Sequence, residues 1–251
     1  MCNIGIDIGS SCAKVCIMKD GIIQNTMMIA TGYNSRKTAD KIKEMLEGQS
    51  INIENSKIVA TGYGRVSVPY ADEVLTEISC HGKGAYHLFN ENATVIDIGG
   101  QDTKIISLKR GRVMKFIMND KCSAGTGKFI EVMSDRLGLT LEELEDLARN
   151  GKETVISSMC TVFAESEVIS LIGQGTPRED IAYGVIDSVV SKVSQLAGQI
   201  PAENYILTGG FCENDYFIKK LSERLEAPVK SKPEARYAGA IGAAIYSAEI
   251  E

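Results

Sequence analysis

Residues 95–104 read Val-Ile-Asp-Ile-Gly-Gly-Gln-Asp-Thr-Lys. An apolar run carries an aspartate, Asp97, to the end of a strand. Two glycines follow, and a second apolar run, Ile105-Ile106-Ser107-Leu108, returns. That pattern spells a β-hairpin with a glycine-rich tip and a carboxylate at its mouth. Backbone N–H groups at such a tip can approach a phosphate closely. The same order occurs earlier, in IGIDIGSSCAKVCIM from Ile4 to Met18. Asp7, Gly9 and Lys14 line up with Asp97, Gly99 and Lys104, each Asp–Lys pair being seven positions apart. Ordinary hairpins also place Asp and Gly in their turns. Turn chemistry does not require the order D-I-G-x-x-x-x-K twice, so two similar halves are expected, each with its own phosphate loop at a shared cleft.

The chain has 251 residues, enough for one large domain or two small ones. With 44% hydrophobic and 24% charged residues it reads as a globular protein. A net charge of −6 argues against a general nucleic-acid or bilayer-surface binder. No apolar run reaches membrane-span length, and the opening MCNIGIDIG is already strand-like. A cytoplasmic protein with no membrane or nucleic-acid partner is therefore expected. Seven cysteines are many for such a compartment, and the odd number shows no extracellular disulfide framework. Metal or redox chemistry is expected for some of them.

Further along, Asp20-Gly21 supplies a turn between strands, and Ala39, Ile42, Met45 and Leu46 predict a helix over Ser35 to Glu47. Ile58-Val59-Ala60 is a buried strand running into Thr61-Gly62-Tyr63-Gly64-Arg65, which lacks a third glycine at dinucleotide spacing. Asp72 to Phe89 reads as helix. Thr140 and Glu143 form a capping box, Pro177 opens a long helix, and Asn214 caps another. The last helix is expected over Tyr237 to Ala248, with Gly239 and Gly242 allowing close packing. The fold class is α/β, in two lobes. The first is expected to hold residues 1–70 and the C-terminal helix 236–251, the second residues 71–235, with a hinge near 68–72.

Asp7 and Asp97 would suit a hydrated Mg²⁺, which keeps its waters and touches few protein oxygens. Gly9-Ser10-Ser11 and Gly99-Gly100 would donate backbone hydrogen bonds to phosphates, and Lys14 would neutralise their charge. Gln101 is a candidate to position the attacking water, since phosphoryl transfer depends mostly on placement and electrostatics. Thr208-Gly209-Gly210, between a strand and a capped helix, would let backbone lie against an adenosine. A strand-to-helix turn gives the same letters. A Walker reading of Gly125-Thr126-Gly127-Lys128 fails, because Cys122 stands where the first glycine belongs and Phe129 where Ser or Thr should hold Mg²⁺.

Cys122 and Cys160, 38 residues apart, each lie in a small-residue polar loop before a helical pattern. Helix N-termini favour anionic ligands and thiolates. A cubane cluster needs four thiolates, so a two-fold dimer sharing one cluster is the simple solution. Inert thiols or a zinc site are the alternatives. Cys16 and Cys80 read as packing residues. Cys12 and Cys212 flank glycine turns, where small-residue packing outweighs redox sensitivity. His81 and His87, six apart on one helix, suit no shared metal.

In order, the strings IGIDIGSSCAK, ATGYGR, EISCHGKGA, VIDIGGQDTK, MNDKCSAGTGKF, SSMCTVFAESEVISL and LTGGFCEN resemble the activator ATPases of 2-hydroxyacyl-CoA dehydratases, which belong with the ATPase subunits of benzoyl-CoA reductase. The resemblance implies the acetate and sugar kinase/heat-shock chaperone/actin fold, two ribonuclease H-like lobes closing on Mg-ATP. It implies a homodimer bridging one [4Fe-4S] cluster through Cys122 and Cys160 of each subunit. It implies a ferredoxin or flavodoxin as electron donor and an iron–sulfur dehydratase or reductase as acceptor. The nucleotide contacts it implies fall on Ser10, Ser11, Cys12, Ala13 and Lys14, on Gly99 and Gly100, on Gly209, Gly210 and Cys212, and on Arg236, with ATP or ADP bound. Two departures stand out. Cys12 replaces the Ser, Thr or Ala of relatives, and Arg236 stands where Gln is expected near the base. Two other readings remain open at this level: a small-molecule kinase of the same fold, and a nucleotide-binding redox sensor without turnover.

Overall fold

The computed structural model describes residues 2–157 and 160–250. Ser158 and Met159, part of the string before Thr161, and the terminal Met1 and Glu251 lie outside the described residues.

The first sheet begins with β1 (Cys2–Ile8), β2 (Cys12–Lys19) and β3 (Ile22–Ala30), an antiparallel meander. Asp20 and Gly21, both at positive φ (52° and 77°), close the β2–β3 turn, as the Asp-Gly pair requires. Helix α1 (Ser35–Gly48) follows, capped by the Asn34 side chain, which accepts from the Arg36 and Lys37 N–H groups. Strand β4 (Ser56–Thr61) returns parallel to β1. The expected helix from Asp72 instead starts later. Glu73–Val74 form a short strand, β5, parallel to β4, and Val74 is exposed. Helix α2 (Glu77–Phe89) begins where the Thr76 hydroxyl accepts from the Ser79 N–H.

The second sheet opens with β6 (Thr94–Ile98), β7 (Thr103–Lys109) and β8 (Arg112–Asn119). Helices α3 (Gly127–Leu137), α4 (Leu141–Ala148), α5 (Thr161–Gly173) and α6 (Arg178–Ala197) come next. Strand β9 (Tyr205–Gly209), helix α7 (Asp215–Leu225), the two-residue β10 (Val229–Lys230) and helix α8 (Ala238–Ser247) complete the chain. The Thr140–Glu143 capping box is formed at α4, and the Asn214 carboxamide oxygen accepts from the Phe217 N–H at α7. Pro177 stands at the N-cap of α6 rather than inside it.

Strand order is β3-β2-β1-β4-β5 in one sheet and β8-β7-β6-β9-β10 in the other. The duplication read from two hairpins thus extends to whole five-stranded sheets. By compactness the chain divides into Met1–Val95, Ile106–Phe116 and Lys232–Glu251 on one side, and Ile96–Ile105 and Ile117–Ser231 on the other. The boundary expected at residue 70 leaves α2 in the second lobe, whereas α2 belongs to the first compact unit. Glycine contacts explain this. A Cβ on Gly84 of α2 would stand 1.9 Å from the Ala238 carbonyl oxygen, and one on Gly242 of α8 would stand 1.8 Å from that of Cys80. The two helices touch backbone to backbone, which no larger residue permits.

The first unit buries Ile4, Ile6, Ile8, Val15, Ile42, Leu46 and Ile58 between sheet and α1, with α8 packed on β1 at Gly5. The second unit buries Ile98, Ile105, Phe129, Met133, Val185, Val189, Leu207 and Phe217 around α6. Each side chain of this size is worth roughly 1.5–3 kcal/mol on burial.

Candidate functional site

In the first unit, β1 delivers Asp7 to a nearly sealed position, 2% exposed. Its Oδ1 has no hydrogen-bond partner among the described residues. Two glycines crowd the carboxylate. A Cβ on Gly62 (φ +85°) would lie 2.4 Å from Oδ1, and one on Gly239 would lie 2.6 Å from Oδ2. Only glycines leave this room, and a buried carboxylate oxygen without a donor is costly unless a cation meets it. The donor set, a hard oxygen in a glycine cradle, fits a hydrated divalent cation.

The β1–β2 tip carries Ser10 and Ser11, both exposed, and Cys12 and Lys14, both half-buried. Ala13 points into the core. The Gly9 N–H donates to the Cys12 carbonyl at 3.1 Å, within the tip. Arg236 is half-buried in a 3₁₀ turn, Pro233–Tyr237, of the same unit. His81 is buried, its Nδ1 3.1 Å from the Glu77 carbonyl oxygen, while His87 is exposed on another face of α2, so the two share no ligand.

In the second unit, β6 delivers Asp97, also 2% exposed, into a different environment. The Lys104 Nζ lies 3.3 Å from Asp97 Oδ2 and 2.8 Å from Asp102 Oδ1. The Thr208 hydroxyl, at the end of β9, donates to Asp97 Oδ1 at 2.8 Å. Lys104 is itself only 1% exposed. A buried charge of this kind is tolerated because its partners are in place. Lys104 and Thr208 stand in motifs read from the sequence, but their grip on Asp97, and that of Asp102 on Lys104, is not part of that reading. The signal was present in the seven-residue Asp–Lys spacing and in the Thr-Gly pair that recurs at Thr61-Gly62 and Thr208-Gly209.

The β6–β7 tip holds Gly99 and Gly100, half-buried, and Gln101, exposed. The Gly99 N–H donates to the Asp102 carbonyl at 2.9 Å, within the tip. Gly209 (φ +89°) lies against β6, where a Cβ would be 2.3 Å from the Ile98 carbonyl oxygen, and the Gly210 N–H donates to that oxygen at 3.2 Å. Gly210 is exposed, while the Cys212 thiol is buried and packs rather than facing solvent.

The Gly125–Lys128 segment departs from a phosphate loop in a specific way. The first N–H groups of α3 are consumed: Gly127 donates to the Gly99 carbonyl at 3.0 Å and Lys128 to that of Gly100 at 2.8 Å. The failure of the Walker spacing therefore has a structural counterpart, because this helix end already has its acceptors.

Cys122 and Cys160 are both exposed. Their loops meet, since the Ser123 and Thr161 hydroxyls, each one residue further on, are 2.7 Å apart. Asn119 braces the first loop, its Nδ2 donating to the carbonyls of Cys122 (2.8 Å) and Ala124 (3.1 Å). Cys160 is the N-cap of α5. The early part of α5 exposes Val162 and Phe163, each about two-thirds accessible (65% and 67%). Two accessible thiols on neighbouring loops fit one half of a four-thiolate cluster site. By contrast, burial pushes the thiols of Cys16 and Cys80 up to about 12, as suits packing residues.

Comparison with known proteins gives the family. The model of the BadF/BadG/BcrA/BcrD ATPase family matches residues 4–247. The (R)-2-hydroxyglutaryl-CoA dehydratase activating ATPase of Acidaminococcus fermentans is 43% identical over 250 residues, covering 98% of this chain and 96% of that protein. The solved structure of the activator of the 2-hydroxyisocaproyl-CoA dehydratase from Clostridium difficile with bound ADPNP superposes with a TM-score of 0.92 at 36% identity, over 99% of this chain and 95% of that one. A ROK family glucokinase from Streptomyces griseus, 15% identical with a TM-score of 0.64 over the whole of both chains, shares the fold alone.

Proposed function

The chain belongs to the BadF/BadG/BcrA/BcrD ATPase family, and from that membership we propose that it is an ATP-driven activator delivering a low-potential electron to an iron–sulfur enzyme of the 2-hydroxyacyl-CoA dehydratase type. Relatives named as dehydratase activators, one of them seen with ADPNP, support the ATPase role and the class of partner. The observation that carries the electron-transfer reading is the meeting of two exposed cysteine loops through Ser123 and Thr161. A [4Fe-4S] cluster gripped by Cys122 and Cys160 of two copies would supply one-electron chemistry. A ferredoxin or flavodoxin would charge it.

The protein's own residues have separate tasks in this reading. Asp7, with its bare Oδ1, holds the Mg²⁺ that accompanies the nucleotide. The exposed tip residues Ser10 and Ser11, with Cys12 and Lys14, face phosphate. Lys14 supplies positive charge there. Gln101, exposed at the second tip, positions water for attack. Asp97 is held fixed by Lys104 and Thr208 and orders that tip. Gly209 and Gly210 leave a flat surface for the nucleoside, and Arg236 is a further candidate nucleotide contact.

Anaerobic purification followed by iron and sulfide determination tests the proposal. About two irons per chain are expected, as a cubane shared by two copies requires. Cys122→Ser and Cys160→Ser should each lose them. A wild-type chain with fewer than about one iron after reconstitution would overturn the cluster assignment.

A further inference from the structure

The second hairpin is bonded directly to the loop that carries Cys122, and we infer that Thr103 is a positioning residue through which the nucleotide tip sets the place of that cysteine. This inference rests on the activator reading above.

Three links make the connection. First, the Gly99 and Gly100 carbonyls accept from the Gly127 and Lys128 N–H groups, so the tip holds the start of α3. Second, the buried Thr103 hydroxyl donates to the Gly125 carbonyl at 2.6 Å, pinning the loop between Cys122 and α3. Third, the Ser123 hydroxyl meets that of Thr161 and passes the position on to the Cys160 loop. Within the loop the Thr126 hydroxyl donates to the Ser123 carbonyl at 2.7 Å, tying the two ends of the loop together.

Two features mark the segment as one that can shift. Gly125 has φ +84°, a glycine pivot between the cysteine and the helix. Beside the loop lies a cavity of about 690 Å³, lined by Asn119, Cys122, Ala124, Lys192, Gln195 and Gln199 among others, so it is not backed by close-packed core. The duplication gives a control. Ala13 occupies the place of Thr103 in the first hairpin, is buried, and has no hydroxyl to donate. The hydroxyl is present only in the copy whose neighbour carries a candidate ligand.

The test uses the full chain prepared without iron, treated with limiting iodoacetamide with and without Mg-ADPNP. Alkylation is read separately at Cys122 and Cys160 by peptide mass spectrometry. In wild type, ADPNP should change the rate at Cys122 by about fivefold or more, the lower end of ordinary site-to-site coupling. Thr103→Val should bind ADPNP with affinity unchanged within about twofold while its alkylation response falls below about twofold, and Thr103→Ser should restore the response. Ser123→Ala should keep the response at Cys122 and lose it at Cys160. An undiminished response in folded Thr103→Val would overturn the inference, as would an unchanged Cys160 response in Ser123→Ala. If Thr103→Val does not fold, Thr103→Ala, which copies the alanine of the first hairpin, is read in the same way and decides. A wild-type chain that fails to hydrolyse ATP removes the activator reading as well. A chain that hydrolyses ATP but alkylates equally in all variants removes only the role of Thr103.

Discussion

Asp7 and Asp97 stand at matching places in matching hairpins and are equally buried, yet one has an oxygen with no partner while the other is gripped by Lys104 and Thr208. The difference follows from two positions inside the repeat. Asp102 in the second copy corresponds to Cys12 in the first, and Thr103 corresponds to Ala13. With Asp102 beside it, Lys104 has two carboxylates and sinks to 1% exposure. Lys14 pairs with Asp7 in strand register but has Cys12, not a carboxylate, in the place of Asp102. Among the described residues it makes no ion pair, and it stays half-exposed. One repeat has become an internal clamp, and the other keeps a buried carboxylate oxygen without a partner. Duplication preserved the backbone device and divided the electrostatic work.

The sharpest way to break this contrast is to remove the two lysines in turn. Lys104→Met leaves the Asp97 carboxylate buried without its cation, which costs about 3–5 kcal/mol. Lys14→Met should cost less than about 1 kcal/mol, as for an exposed charge. Urea denaturation of both variants measures the gap. Equal losses would mean that the clamp is not what distinguishes the halves.

Removing the aspartates turns the contrast from stability to activity. Asp7→Asn should leave the denaturation midpoint unchanged or slightly raised, because a buried oxygen with no donor is no longer charged. ATP hydrolysis should fall by about 10²-fold or more with loss of the cation ligand. Asp97→Asn should instead lose stability, since Lys104 then keeps only Asp102. An Asp7 variant that hydrolyses ATP at the wild-type rate would show that its bare oxygen serves no ligand.

The repeat itself was legible because it is written in local letters: Asp, Gly and Lys at fixed spacing with apolar runs on either side. Helix caps at Asn34, Thr140 and Asn214 were readable for the same reason, or lay within a residue of the expected start. The different fates of the two carboxylates were not legible, because they depend on which residue stands two positions before each lysine and, for Asp97, on Thr208, 111 positions away. The start of α2 was misjudged because Val74 looks apolar, and pairing with β4 outweighs its fit to a helix stripe. The pairing of the cysteine loops rests on Ser123 and Thr161, two small polar residues that no local pattern marks out.

The smallest expected effect separates the two Thr-Gly pairs. Thr61 ends β4, Thr208 stands one residue before the end of the equivalent strand β9, and both are fully buried. The Thr208 hydroxyl donates to a carboxylate, whereas that of Thr61 donates to the Leu75 carbonyl at 3.1 Å. A hydrogen bond to a charged group is worth about 1.5–3 kcal/mol and one to a neutral group about 0.5–1.5 kcal/mol. Valine replaces threonine with little change of volume, so it deletes the bond without opening a cavity. Thr208→Val should therefore destabilise more than Thr61→Val, by about 1 kcal/mol. The sign of that difference is what matters. If Thr61→Val proved the costlier, the charge on Asp97 would not be held from β9, and the second hairpin would owe its rigidity to Lys104 and Asp102 alone.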